Sequence, residues 1–595
     1  MSDAPERSPD SLRAELGRFV GRLRHAVIRE AAAESDRIAA LWGKPQAARV
    51  ADGQAIEGLR LVSILPSGAM ELTCDRNQSR FREGDVLCLN RGDPNLEPRL
   101  AVMLEQDDET NLLVQAVDDL ADLGIVRELP EGWVLDEDYQ DVSHFVLEAL
   151  AEAGDSLVGT QRVLPLLLGQ VQPRSAVEVY QRGFTAAQQA GLNEDQSESL
   201  AQAYATDLAW LVQGPPGTGK TLVLAHLARL LAEDGERVLI TALTHRAINN
   251  ALNKLAQAGP EVAAAKVGQA QRADGLDGVE NYLRFEATPM AEMQKGYVIG
   301  ATPFATRTKR LAGVEFDTVL FDEASQVTLP LAVMGMLVGR RYILFGDQRQ
   351  LPPVVAHRKR RNELEGSVFD SLAELGCSSM LTETYRLNSE LAEWPSRKFY
   401  AGRLKPVPVA ARRRLEIGSP PARLRQVLDP AHPKVFLDLG HRNATTRNLK
   451  EAGVVVELIL GLLEAGLPPS EVGVVVPYRA QSREIRTMLR RALPDAETRR
   501  WIVVDTVERM QGQEREVVIV SLTTSNPWFA AQLSEFFFQP ERLNVAITRP
   551  RTKLIIVGSR HVLRAEPADP EQQEAVALFR DLLASCSTRM LEQLG

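Results

Sequence analysis

Hydrophobic residues recur along this 595-residue chain with two different periods, and the places where the period changes divide it into parts. After the helix-start signal Ser8-Pro9-Asp10-Ser11, apolar positions 12, 16, 19, 20, 23, 27 and 28 keep helical spacing. They predict one long amphipathic helix ending near Trp42-Gly43. From Leu59 the pattern becomes that of strands: runs at 59–64, 70–73, 85–89, 100–104 and 112–117, divided by Pro-Ser-Gly, Glu-Gly-Asp and Asp-Asp-Glu turns, predict a small five-stranded barrel. Helical spacing returns at 142–153, followed by an apolar run at 164–168 and a polar stretch containing Pro173. Beyond Gly191 strand and helix alternate, as in a parallel sheet covered on both faces. One set of strands is expected at 208–212, 238–241, 297–300, 318–321 and 342–345, and a second at 435–438, 472–476, 503–505, 517–521 and 554–558. The proline- and arginine-rich stretch 401–434 reads as an irregular loop. The fold class is α/β, with an N-terminal stalk helix at 1–45, a barrel at 46–130, a helical return and linker at 131–190, and α/β domains at 191–356 and 357–595.

Chemistry concentrates where these strands end. Gly214-Pro215-Pro216-Gly217-Thr218-Gly219-Lys220-Thr221 fills the pattern G-x-x-x-x-G-K-[ST] between an expected strand and an expected helix at 222–231. Its glycines let backbone amides close around phosphate oxygens, the helix N-terminus adds positive charge, Lys220 neutralises the terminal phosphates and the Thr221 hydroxyl can ligate magnesium. The loop alone leaves motor, switch and kinase open. Strand 318–321 runs into Asp322-Glu323, where Asp322 can hold the magnesium shell and Glu323 can orient and deprotonate an attacking water. Strand 342–345 leads into Gly346-Asp347-Gln348-Arg349-Gln350, and Gln350 is placed to report whether a γ-phosphate is present. The second α/β domain has no P-loop, so it is expected to complete the first domain's site.

Composition adds exclusions. With 44% hydrophobic and 25% charged residues, wholesale disorder is excluded. No run approaches the roughly 18 to 20 apolar residues of a membrane span, and the first nine residues are polar and acidic, so a cytoplasmic protein without membrane contact is expected. Cys74, Cys88, Cys377 and Cys586 form no C-x-x-C pair and read as free thiols. The net charge of −10 argues against coating nucleic acid by bulk electrostatics. It leaves local basic tracks open at Arg307-Thr308-Lys309-Arg310, His357-Arg358-Lys359-Arg360-Arg361 and Arg412-Arg413-Arg414.

The segments at 214–221, 319–326 and 345–353 resemble motifs I, II and III of the superfamily 1 helicases, and the other motifs of that family follow in order. Leu192-Asn193-Glu194-Asp195-Gln196 resembles the Q motif, Ala242-Leu243-Thr244-His245-Arg246-Ala247-Ile248-Asn249 motif Ia, and Gly300-Ala301-Thr302-Pro303 the next strand-contacting motif. Glu383-Thr384-Tyr385-Arg386, Val476-Pro477-Tyr478-Arg479-Ala480-Gln481, the run 504–514 and Arg542–Arg549 match the motifs of the second domain. The branch resembled is that of the RNA-surveillance (nonsense-mediated decay) helicase and its immunoglobulin-mu-binding relative, over residues 191–560.

This resemblance implies two tandem RecA-like domains binding ATP and Mg2+ between them, and ATP-dependent 5′-to-3′ movement on single-stranded RNA or DNA by a monomer. Gln196 would read the adenine edge, Tyr385 would stack on the base, Glu514 would contact the ribose, and Gly512 would belong to the same ATP site. Arg386 and Arg549 would act as arginine fingers, a class of contact worth about 10³ to 10⁵ in rate. Thr244, His245, Asn249, Thr302, Pro303, Gln481 and Thr506 would line the track that grips the strand's backbone. Departures are the lack of a cysteine-built zinc domain, a short insert at 255–295, Leu387-Asn388 where the family has Met-His, and no nuclease signature. The competing reading is a nucleotide-controlled remodelling ATPase or scaffold whose residues 1–190 bind a protein partner. A kinase or GTPase is disfavoured, because no guanine-reading motif follows the P-loop.

Overall fold

The computed structural model describes residues 9–81, 83–108, 110–117, 123–354 and 366–590. The basic cluster at 357–361 and the first eight residues lie outside these. Helix α1 runs Pro9–Trp42, and the predicted apolar stripe is buried at Leu16, Phe19, Val20 and Leu23, whereas Ile28, also predicted on it, is exposed. Residues 25–144 belong to one compact unit, and the two parallel sheets belong to another.

Within the first unit, β1 (Ala55–Ile64), β2 (Ala69–Thr73), β3 (Val86–Asn90), β4 (Leu100–Asp107), β5 (Asn111–Ala116) and β6 (Glu131–Glu137) close a barrel in the order β1-β2-β5-β4-β3-β6. Five strands were expected, and β6 fell in the stretch assigned to a helical return. Its ends are charged, but Trp133 and Leu135 are fully buried at its centre, and it pairs antiparallel with both β1 and β3. That double pairing removes the two free edges that a five-stranded sheet would expose.

The second unit holds two parallel sheets. In the first, β7 (Ala209–Gln213), β8 (Arg237–Thr241), β9 (Ala263–Val267), β10 (Glu280–Tyr282), β11 (Tyr297–Gly300), β12 (Thr318–Phe321), β13 (Arg341–Gly346) and β14 (Ser378–Met380) lie in the order β10-β9-β11-β8-β12-β13-β7-β14. Val238, Leu239, Ile240, Val319, Leu320 and Phe321 are fully buried, as in a sheet covered on both faces. Strand β14 corrects the expectation that everything beyond 357 serves the second domain: Ser378–Met380 pair with Leu211–Gln213 and form the first sheet's edge. The second sheet comprises β15 (Lys434–Asp438), β16 (Val472–Val476), β17 (Val503–Thr506), β18 (Arg515–Ser521), β19 (Pro550–Gly558) and β20 (Ser587–Met590), in the order β17-β16-β18-β19-β15-β20.

The stretch 401–434 is not all loop. Lys405–Pro406 pairs with Glu383–Thr384, and short helices occupy Pro408–Ala411 and Arg425–Leu428. All four cysteines are free and buried. No helix among the described residues is long and apolar enough to cross a membrane. Because every strand of a sheet points the same way, the carboxyl ends of β7, β12 and β13 bring the P-loop, Asp322-Glu323 and Asp347 to one edge, the usual place for a ligand crevice in an open parallel sheet.

Candidate active site

The P-loop leaves β7 at Gln213 and enters helix α2 (Lys220–Glu233) through Gly219, whose φ of +81° suits glycine alone. Gly217 is also left-handed, at φ +73°. A Cβ there would stand 2.4 Å from Arg386 Cβ and 2.7 Å from Thr384 Oγ1. The segment 384–386 is therefore seated directly on the phosphate loop. Tyr385 N donates to Gly217 O at 2.8 Å and Thr384 Oγ1 donates to Pro216 O at 2.8 Å. Thr218 Oγ1 closes the loop internally on Pro215 O, 2.8 Å away.

Lys220 Nζ lies 2.9 Å from Glu323 Oε1 and 3.3 Å from Asp322 Oδ1. Burial opposes its charge, but the two carboxylates outweigh it and hold the ammonium above its ordinary pKa. Between the acids, burial raises Asp322, whereas Glu323 is lowered because Lys220, then Arg549 and a Gln511 hydrogen bond, outweigh its burial. Glu323 is thus the firmly ionised member. It stands at φ +52°, a left-handed conformation that is uncommon outside glycine and recurs at functional sites. From the second sheet's side, Gln511 Nε2 donates to Glu323 Oε2 at 3.2 Å.

Arg549 is buried, and its hydrogen bonds go to neutral oxygens: Gln350 Oε1 at 3.3 Å, Val545 O at 2.9 Å and Gln513 O at 3.4 Å. Burial first, then the neighbouring Arg386 charge, push its guanidinium down. A desolvated cation aimed at this edge is a receptor for an anion. Arg386 Nε is paired with Glu514 at 2.7 Å, and its Nη1 donates to Thr548 O at 3.2 Å. Arg413 Nη1 in turn donates to the carbonyls of Tyr385 and Arg386, at 2.9 and 3.2 Å.

The structure thus brings Lys220, Asp322, Glu323, Gln350, Arg386 and Arg549 to one edge. Tyr385 presents an exposed ring, 43% accessible, as a stacking residue requires. Gln196 departs from its expected role, since its amide is committed at both ends: Nε2 donates to Thr218 O at 3.0 Å and Oε1 accepts from Asn193 N at 3.1 Å. It braces the P-loop, while Asn193 Nδ2 reaches Glu383 and Tyr385 Oη, both at 2.9 Å. Glu514 carries Arg386 as well as lying near Arg551, and Gly512 takes a left-handed turn with φ +75°. Thr221 is half-buried next to Lys220. Its hydroxyl and the Asp322 carboxylate are hard oxygen donors of the kind magnesium prefers, so these residues fit the ion.

Of the residues expected along a strand track, Thr244, His245 and Thr302 remain accessible at the ends of β8 and β11, whereas Asn249, Pro303, Gln481 and Thr506 are buried. Gln481 corrects its expected contact: it accepts from Asn448 N at 2.8 Å and donates to Asn448 O and Ser521 Oγ, which orients a neighbouring loop from beneath. Asn249 likewise donates to the carbonyls of Arg272 and Asp274, at 3.2 and 2.8 Å. His245 keeps a buried Nδ1 without a partner, and burial, reinforced by Lys266, Arg272 and Arg310, brings its pKa to about 4, so the ring is neutral. Sequence reasoning gave no role to Gln511, Asp347, Tyr400 or Asn544. Gln511 and Asn544 lay inside quoted motifs, and nothing local marked Tyr400.

Two AAA domain models match the chain, one at residues 191–295 and 286–358 and the other at 364–561. The chain is 30% identical over 412 residues to the DNA replication ATP-dependent helicase/nuclease DNA2 of Mus musculus, a match covering 63% of this chain and 38% of the relative. It is 29% identical over 407 residues to the protein of the same name from Saccharomyces cerevisiae, covering 63% and 26%. The match thus spans well under half the length of either relative, and the nuclease in their name is said of those proteins. A solved arterivirus nonstructural protein 10 (helicase) aligns with 86% of this chain and 80% of its own at 14% identity and a TM-score of 0.37, which adds nothing to the assignment. The two AAA domain matches together cover residues 191–358 and 364–561, more than half of the chain, and with the helicase relatives they place it in the superfamily 1 helicases, the family to which the chain belongs.

Proposed function

We propose that this chain is an ATP-driven translocase that moves 5′ to 3′ along single-stranded nucleic acid and separates duplexes in its path. The observation that carries this reading is the junction of two sheets at one catalytic edge. The first contributes the P-loop, Lys220, Asp322 and Glu323; from the second, Gln511 bonds Glu323 and Arg549 bonds Gln350, while Arg386 packs against Gly217 and is held by Glu514 of the second. A site assembled from two halves is active only when they meet, which is what a motor needs to link hydrolysis to movement.

Each residue has a role its surroundings support. Lys220 and the P-loop amides bind the phosphates. Glu323, kept ionised by Lys220, accepts a proton from the attacking water. Arg386 and Arg549 approach from the second half and neutralise charge on the transferred phosphoryl oxygens. Tyr385 covers the base. Thr221 and Asp322 would hold a magnesium ion, which would supply charge neutralisation for the leaving phosphates. Thr244, His245 and Thr302 grip the strand through its backbone, a contact that is largely blind to sequence.

The RNA-surveillance branch and the DNA-replication relatives point to different strands. We take DNA as the favoured substrate, because the similar proteins reported above carry DNA replication in their names. ATP hydrolysis measured with no strand, with poly(dT) and with poly(U) tests the reading. Stimulation by both, larger for poly(dT), is expected. A rate indifferent to either polymer overturns the motor in favour of the remodelling ATPase or scaffold.

A further inference from the structure

A closed ring of buried hydrogen bonds joins the two halves behind the catalytic edge. Helix α3 (Ser389–Phe399) delivers Tyr400, and helix α4 (Pro540–Ile547) carries Asn544. Asn544 Nδ2 donates to Tyr400 Oη at 2.8 Å, and Tyr400 Oη donates to Asp347 Oδ2 at 2.7 Å. Gln350 Nε2 donates to the same carboxylate oxygen at 2.7 Å, and Gln350 Oε1 accepts from Arg549 Nη2 at 3.3 Å, which returns the ring to the segment that carries Asn544.

The hub of this ring is an unusual carboxylate. Asp347 is 1% exposed, and its hydrogen bonds come from neutral donors: Gln350, Tyr400, the Arg349 amide and Gln213 Nε2, the last two at 3.1 and 3.3 Å. Burial raises its pKa, and the bonds from Gln350 and Tyr400 oppose that rise. A buried carboxyl group without a cation is costly unless its oxygens are hydrogen-bonded, and it depends on each donor it has. Among the described residues, three of its four donors belong to the first half; Tyr400 alone comes from the second. Burial, then the adjoining Asp347 carboxyl, push the Tyr400 phenol well above its ordinary pKa, so it remains a donor.

Withdrawing the second half would take the Tyr400 hydroxyl from Asp347 and the Arg549 guanidinium from Gln350 Oε1, so that among the described residues the Gln350 carboxamide would keep only its Nε2 bond to Asp347. We propose that Tyr400 and Asp347 are positioning residues: together they hold the Gln350 carboxamide with its oxygen toward Arg549 only when the two halves are closed, and so make hydrolysis conditional on a bound strand. Neither residue touches ATP in this account, which rests on the strand-driven ATPase proposed above.

The test uses the full chain as wild type, Tyr400→Phe, Asp347→Asn and the double variant, with ATP KM and kcat measured with and without poly(dT) and thermal midpoints recorded. Tyr400→Phe keeps the ring packing and removes one buried hydrogen bond to the Asp347 carboxyl, an effect of about tenfold. The expected result is a strand-stimulated kcat about tenfold below wild type with KM for ATP held within about twofold. The double variant should be no slower than the slower single variant, because both break one link. Stimulation in the wild type with an undiminished kcat in Tyr400→Phe overturns the relay alone. So does a cycle in which the two losses multiply, or a loss that appears in KM with a lowered midpoint. No stimulation in the wild type overturns the functional reading, and the relay with it.

Discussion

Replacing Gly217 by Ala tests the seating of segment 384–386 on the P-loop. The added Cβ would stand 2.4 Å from Arg386 Cβ and 3.1 Å from Arg386 N, neither of which can swing aside as a side-chain tip could. The backbone at φ +73° adds a left-handed penalty of about 1–2 kcal/mol for a residue with a Cβ. Overpacking of this kind costs about 1–3 kcal/mol more, so the loss to the closed site is roughly 2–5 kcal/mol, about 30- to 5,000-fold in kcat/KM for ATP. Gly512→Ala is the matched control. It carries φ +75° but nothing lies within 4 Å of its Cβ position, so it bears the backbone term alone, about 5- to 30-fold. Steady-state hydrolysis in the presence of poly(dT), with the thermal midpoint of each variant, reads the difference. Equal kcat/KM in the two variants would refute the packing of Arg386 against the phosphate loop.

Glu323→Gln keeps the shape of the side chain but removes the ionised group that Lys220 and Gln511 hold, so kcat should fall by about 10² to 10⁴ while nucleotide still binds; wild-type turnover would remove Glu323 as the base. Lys220→Ala, by contrast, should weaken ATP binding itself, measured with a fluorescent ATP analogue, and abolish hydrolysis. A further expectation concerns pH and stability. Lys553 is buried, donating to the carbonyls of Asp429 and His432 at 2.9 and 2.7 Å, and burial, partly offset by Asp429, lowers its pKa to about 7. In the unfolded chain a lysine keeps its proton to about pH 10.4, so between about pH 7 and 10 the unfolded state binds more protons and stability rises with pH. Lys553→Met should flatten that rise in urea midpoints across the window, and an unchanged slope would locate the effect elsewhere.

What the sequence disclosed follows from the physics of each element. Strands such as Val472–Val476 and Thr318–Phe321 are buried on both faces and therefore spell out continuous apolar runs, which is why they could be read directly. Strand β9, Ala-Ala-Ala-Lys-Val, has small side chains and a buried lysine and carries no such signal. Strand β6 hides its apolar centre between charged ends, and β14 is only three residues long. At the site, the P-loop and Asp322-Glu323 are local in sequence and were legible. The Asp347–Tyr400 and Tyr400–Asn544 bonds span 53 and 144 residues, and no periodicity announces a contact of that range. Gln196 and Gln481 show the converse limit. A motif marks which residue matters, but only burial shows that these amides brace backbone from beneath.

The central claim, that closing this two-half site on ATP moves the chain along a strand in one direction, is met most directly by a displacement assay on biotinylated single-stranded DNA carrying streptavidin at one end. ATP-dependent displacement from the 3′ end is expected, with little from the 5′ end and none from either with Lys220→Ala. Displacement from neither end by a wild-type protein that hydrolyses ATP, or displacement from the 5′ end alone, would contradict it.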